Sequence, residues 1–165
     1  LWMREVAGFR EPEWSFEKPE GEYVAKPLFD WHYEDDPTLN GEGGLYQRYL
    51  PAEPIDDKYY GVDDGEEIHL TVLRSSSKLH GEKEYLGTVA PDPAIGETVR
   101  RLMRLTDSQA IGVDVIWSDG DAYAVDVNPA MSFRNAGMEA ELADSLLARA
   151  SDADNPAAAT RRIVQ

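Results

Sequence analysis

The chain has 165 residues and sets 16 Lys plus Arg against 32 Asp plus Glu, a formal net charge of -16. A surface this acidic repels nucleic acid and anionic lipid, so any phosphate it holds must be met by local cations or a metal ion. Cysteine is absent, which excludes disulfides and thiolate-based zinc or redox centres.

The length suits one hydrophobic core. No apolar run approaches membrane-spanning length and no signal-peptide pattern opens the sequence, so a cytoplasmic location is expected. Acidic residues spread along the whole chain, with Arg outnumbering Lys, suit a protein kept in high salt, where screening quenches self-repulsion. A halophilic source is the resulting expectation. The sequence starts at Leu1 and reads from there like the interior of something longer, so an upstream part is also expected.

Residues 1–19 mix Trp2, Phe9, Trp14 and Phe16 with Pro12 and Pro19, which predicts a short helix followed by an irregular segment anchored by its aromatics. Residues 22–28 read as a strand ending near Pro27, because proline cannot donate to a central ladder. Lys26 interrupts that apolar run. It is either an edge residue whose ammonium snorkels to water or a fixed cation aimed into a cleft. Residues 30–44 form a long polar loop of the kind that often serves as a lid. Its Glu34, Asp35 and Asp36 would repel phosphate, leaving the backbone N–H groups of 40–44 as the part able to meet an anion.

A second strand is expected over 45–50, closed by Pro51 and Pro54. A hairpin follows, with strands over 57–62 and 67–74 around the Asp63-Asp64-Gly65 turn. His69 reads as a strand surface residue. Arg74 ends the second strand and leads into a polar, basic stretch through Lys83. Over residues 91–106, Ile95, Val99, Leu102 and Met103 recur at helical spacing behind Asp92, a suitable cap, while Arg100, Arg101 and Arg104 take a solvated face.

Residues 111–128 carry the strongest pattern. Two runs rich in Val, Ile, Trp and Tyr flank Ser118-Asp119-Gly120-Asp121, a hairpin signal. With Asp114 opposite Asp126, residues Val113, Val115 and Trp117 face Val127, Val125 and Tyr123 as one apolar surface. The other face then carries Asp114, Asp126 and Asn128, since side chains alternate with period two. A strict two-residue turn would shift that register, so a three-residue or longer loop with a glycine-assisted bulge is expected. Facing carboxylates repel unless a cation lies between them, and two carboxylates with an amide oxygen suit Mg²⁺ or Mn²⁺. A solvated edge face in a very acidic protein is the competing reading. A loop over 129–137 with Arg134 and Asn135, a final helix over 138–150 and a frayed tail complete the chain.

Taken in order, the chain has a strand with Lys26-Pro27, a strand with Gln47, Tyr49 and Leu50, a strand with Asp57-Lys58, a strand ending at Arg74, a helix, then Gly112-Val113-Asp114 and Asp126-Val127-Asn128-Pro129. This order resembles the carboxylate-amine ligases of the ATP-grasp superfamily, in the branch that includes ribosomal-protein glutamate ligase. The resemblance implies an α+β fold, mainly antiparallel sheet with hairpins packed against two helices, that clamps ATP between two subdomains. It divides the chain into an N-terminal segment over 1–19, a partial ATP-grasp-like domain over 20–150 and a flexible tail over 151–165.

By the same resemblance Lys26 would hold phosphates, the hinge containing Gln47, Tyr49 and Leu50 would lie along adenine, and Asp57 would reach ribose. Lys58 and Arg74 would be the catalytic cations facing phosphates or an acyl phosphate. Asp114, Asp126 and Asn128 would hold Mg²⁺ or Mn²⁺. The implied activity is ATP-dependent joining of a small-molecule or peptide carboxylate to an amine, with the missing N-terminal part of the same protein contributing to substrate binding. No nucleic acid or membrane partner is implied. A kinase-like member acting on a hydroxyl and a noncatalytic nucleotide-binding or interaction module are the alternatives. The sequence departs from the family pattern at Asp126, where Glu is usual, at Arg48, where an acidic hinge residue is usual, and in the acidic segment after Lys26.

Overall fold

The computed structural model describes residues 8–27, 37–129 and 136–153, side chains at 148, 149, 152 and 153 excepted. The elements in chain order are β1 (Trp14–Ser15), β2 (Tyr23–Lys26), β3 (Thr38–Leu39), β4 (Leu45–Arg48), β5 (Ile55–Asp63), β6 (Ile68–Ser76), a 3-10 turn (Lys78–His80), β7 (Tyr85–Val89), α1 (Pro93–Thr106), β8 (Ala110–Ser118), β9 (Asp121–Asn128) and α2 (Glu139–Ala153). They build two sheets whose pairings are all antiparallel: a small one in the order β1-β4-β2-β3 and a large one in the order β7-β6-β5-β8-β9. Residues 49–54 lead directly from β4 of the first to β5 of the second.

Period-two alternation gives the large sheet two buried faces. On one, Tyr59, Val72, Val113, Val115 and Ala124 pack against Ile95, Val99, Leu102 and Met103 of α1, with Phe9 of the N-terminal segment joining them. Gly61 is required there: a Cβ would stand 2.5 Å from the Met103 sulfur. On the other face, Tyr60, Val62 and Leu73 pack with Ala136, Met138 and Leu142. Helix α1 starts as expected, its Asp92 carboxylate accepting from the N–H groups of Ala94 and Ile95 at 2.9 and 3.1 Å.

The central hairpin forms, but its two constraints are reconciled differently from the expectation. Asp119 and Gly120 both take positive φ, 52° and 82°, so the connection is the strict two-residue turn that a primed hairpin favours. Gly112, Val113 and Asp114 still face Asn128, Val127 and Asp126, because the register shifts inside the ladder, between Asp114 and Val115. Val125 is the extra residue of that bulge. Beyond it Val115 faces Ala124 and Trp117 faces Ala122, so Ala124 and Ala122, not Val125 and Tyr123, complete the apolar face.

Other differences are local. The short helix expected at the start of 1–19 falls partly on residues 1–7, outside the described residues; in the segment that follows, Trp14 and Ser15 add to the edge of β4. Phe9 is buried, whereas Trp14 and Phe16 meet edge to face, their ring centroids 5.3 Å apart, on the exposed surface. Strand β7 was not anticipated: Tyr85 and Leu86 are exposed and Gly87 interrupts it, so only pairing with β6 defines it. Helix α2 runs three residues past its expected end. Trp2, residues 28–36, Arg134, Asn135 and the tail from 154 lie outside the described residues. No helix among the described residues is long and apolar enough to cross a membrane.

Candidate functional site

Four charged side chains converge on the α2 side of the large sheet. Lys58 in β5 pairs directly with Asp114 in β8, and Asp114 with Asp126 in β9, so the register alone sets the three side by side. The Lys58 Nζ lies 3.0 Å from Asp114 Oδ1. The fourth arrives from the small sheet: the largely buried Lys26 donates its ammonium to the carbonyl of Val125, the bulge residue. A bulge leaves one residue out of ladder pairing, and here a partly buried cation takes up its carbonyl. The lysine that interrupts an apolar strand is thus one link between the two sheets.

The electrostatics are those of a site short of positive charge. Burial pushes the Asp114 carboxyl above the usual carboxylate range even with Lys58 beside it. Its Oδ1 is buried, and the Lys58 ammonium at ion-pair distance is what favours the charged carboxylate there. Burial pulls the Lys26 ammonium below its ordinary value, opposed by Asp126, Asp114 and Asp56. Burial also works against Lys58, but Asp114 outweighs it and leaves that ammonium raised.

Asp56 belongs to this face as well, two residues before Lys58. Burial raises its pKa first and Asp114 further, while Lys83, a hydrogen bond from Ser77, and Lys58 act in the opposite direction. Sequence reasoning missed it although strand parity with Lys58 was a usable signal. Lys83 carried no such signal, since only folding brings the stretch after β6 back toward Asp56 and Asp114.

Asp57 and Arg74 are not brought to this cluster. They face each other across β5 and β6 on the α1 side, where Arg74 donates Nε and Nη2 to the two Asp57 oxygens at 2.7 Å each. The Trp117 indole N–H adds a 3.3 Å bond to the same buried carboxylate. A bidentate pair of this kind fixes the guanidinium, and it lines a separate cavity of about 470 Å³ with Pro51, Ile55 and Trp117.

Gln47 is buried in β4, and Tyr49 donates its N–H to the Glu22 carbonyl at 3.0 Å. Tyr49 and Pro51 line a cavity of about 600 Å³ with Trp14, Tyr46 and Arg48. Leu50 sits between them in the connection from small to large sheet. None of Lys26, Lys58, Asp114 or Asp126 lines this cavity, so described side chains do not join it to the ionic cluster. In the glycine-rich stretch after β3, the N–H groups of Asn40 and Gly44 are taken by the carbonyls of Tyr23 and Lys26 at 2.8 and 2.9 Å. Those two amides are occupied by β2 and are not available to an anion.

Among the described residues no three carboxylate or imidazole side chains form a ligand set by themselves. The donor set that does fit a hard divalent ion is two facing carboxylates, one with a buried oxygen that the Lys58 ammonium approaches, and the Asn128 amide two residues beyond Asp126 on the same strand face. Such a set leaves several coordination positions for water or phosphate oxygens, which is the habit of Mg²⁺.

No protein-family model matches the chain, and no curated protein matches it in sequence. Solved structures do. An ATP-grasp ligase, PsnB, complexed with a variant of its minimal precursor, Mg and ADP, superposes with a TM-score of 0.61 at 18% identity, over 90% of this chain and 56% of that one. The macrocyclase MdnC of Microcystis aeruginosa, bound with its precursor peptide MdnA, gives 0.64 at 14% identity over 89% and 59%. D-Alanine-D-alanine ligase from Helicobacter pylori gives 0.59 at 10% identity over 87% and 55%. The chain therefore spans little more than half the length of the structures it matches.

Proposed function

The fold is that of the ATP-grasp ligases, and from that premise we propose that this chain carries the nucleotide- and metal-binding part of an ATP- and Mg²⁺-dependent ligase joining a carboxylate to an amine. The observation that carries the reading is the facing pair Asp114 and Asp126, with the ammoniums of Lys26 and Lys58 beside it. Anionic ligands need those cations in a protein of net charge -16. In this reading a divalent ion held by Asp114, Asp126 and Asn128 supplies charge neutralisation at the phosphates.

The chain's own part is positioning. Lys26 reaches across from the small sheet to the phosphates, Lys58 faces the transferring phosphoryl group from β5, and the Gln47-to-Leu50 segment holds the base at the junction of the sheets. A substrate carboxylate oxygen attacks the γ-phosphorus and ADP departs. The amine nitrogen then attacks the acyl carbon, phosphate leaves, and the amine gives up a proton. Both steps need fixed charge and orientation more than a protein nucleophile. The precursor peptides bound to PsnB and MdnC make a peptide carboxylate the first substrate class to screen.

A second reading has a specific observation in its favour. Arg74, the other expected catalytic cation, is held by Asp57 on the far face of the sheet, which suits a module that binds nucleotide without turnover. Calorimetric titration of ATP with and without Mg²⁺, in high salt, on this chain and on Asp126→Ala tests the nucleotide site common to both. Mg²⁺-dependent binding that disappears in the variant is the expected result. Equal binding by both proteins refutes the metal assignment.

A further inference from the structure

Resting on that reading, we propose that Lys58 is the resident counter-cation of the Asp114–Asp126 pair and controls entry of the metal. The divalent ion gains the carboxylates more tightly once phosphate draws the Lys58 ammonium away, so ion and nucleotide bind as a coupled pair.

The geometry supports this directly. Lys58 and Asp114 are register partners, so the ammonium reaches the carboxylate without leaving its strand position. At 3.0 Å from Asp114 Oδ1 it stands where an ion bound to that oxygen at about 2.1 Å would be its close neighbour. Two cations that near one another in a half-buried site repel strongly. The contact is also open to an incoming ligand, because the Lys58 and Asp114 side chains each keep 20% of their surface exposed.

The second ammonium stands differently. Lys26 gives one of its donors to the Val125 carbonyl and acts on the carboxylates by charge, whereas Lys58, among the described residues, is the cation in ion-pair contact with Asp114. A polyphosphate offers the Lys58 ammonium oxygens of higher charge and gives a divalent ion further ligands. Each ligand therefore favours the other, and the coupling is equal in both directions.

The test is titration of Mn²⁺ alone, read as free ion by electron paramagnetic resonance, on the 165-residue chain in high salt. The chain is compared with Lys58→Met and Lys58→Arg, and Asp114→Asn supplies the background from the acidic surface. Lys58→Met is expected to bind one Mn²⁺ on the order of tenfold more tightly than the parent, toward the lower end of the usual coupling range, with Lys58→Arg unchanged because it keeps the charge. Lys58→Gln takes the place of Lys58→Met should circular dichroism find the latter unfolded. Unaltered Mn²⁺ affinity on removal of the Lys58 charge overturns the inference. If the parent chain still takes up magnesium ATP in that case, the nucleotide reading stands and the gating role of Lys58 alone falls; if it takes up none, both fall.

Discussion

Replacing Lys26 by Met removes the ammonium while keeping an unbranched stem of similar length. In the protein that ammonium is largely buried, donates to the Val125 carbonyl and lies near Asp126, Asp114 and Asp56. Losing a hydrogen bond to a charged group costs about 1.5–3 kcal/mol. Against this, relief of the buried charge returns about 1.4 kcal/mol for every unit by which burial has lowered the pKa. The two contributions oppose, so near neutral pH the variant should lie within about 2 kcal/mol of the parent.

The pH dependence is the sharper discriminator. A lysine whose folded pKa lies below the ordinary 10.5 binds fewer protons folded than unfolded between those two values. Stability must therefore rise with pH across that window, and Lys26→Met must lack the rise. Urea midpoints followed by tryptophan fluorescence from pH 7.5 to 10.5 read this as a gap that shifts in favour of the parent as pH increases. Parallel curves for the two proteins would refute the lowering of the Lys26 pKa by burial.

Other expectations follow from the same geometry. Asp57→Asn leaves Arg74 without its bidentate partner and should cost about 2 kcal/mol, toward the low end for a charged contact because the guanidinium is a third exposed; an unchanged urea midpoint would show the pair to be energetically idle. His69 sits 2.5 Å from Asp64, whose hydrogen bond raises the ring's pKa. Its stabilisation is thus fully present below about pH 6.5 and lost as pH rises through the higher folded value. The difference in melting temperature between the parent and His69→Gln should be larger at pH 6 than at pH 8.5, and equal differences would sink the argument. Loss of Mg²⁺-dependent ATP binding in Asp126→Ala should occur without unfolding, because relief of its repulsion with Asp114 offsets the lost attraction to Lys26.

Much of this was legible in the sequence because it rests on period and local chemistry. Alternation of apolar residues put Asp114 opposite Asp126, Asp119-Gly120 marked the hairpin turn, and Asp92 with Ile95, Val99, Leu102 and Met103 defined a capped amphipathic helix. Period two was also sufficient to place Asp57 and Lys58, adjacent in one strand, on opposite faces, and to group Lys58 with Asp56. Chain order alone does not carry that information, which is why Arg74 is expected at the phosphates together with Lys58.

What the tertiary structure decided is where long-range partners meet. A two-residue turn and a carboxylate pair in fixed register are incompatible in a regular ladder, and only folding selects Val125 as the residue that absorbs the difference. Lys26 finds that residue's carbonyl 99 positions away, a contact no local pattern encodes. Edge strands such as β1, β3 and β7 exist because a neighbour supplies their hydrogen bonds, whereas a hairpin or a capped helix carries its instructions within a few residues of itself.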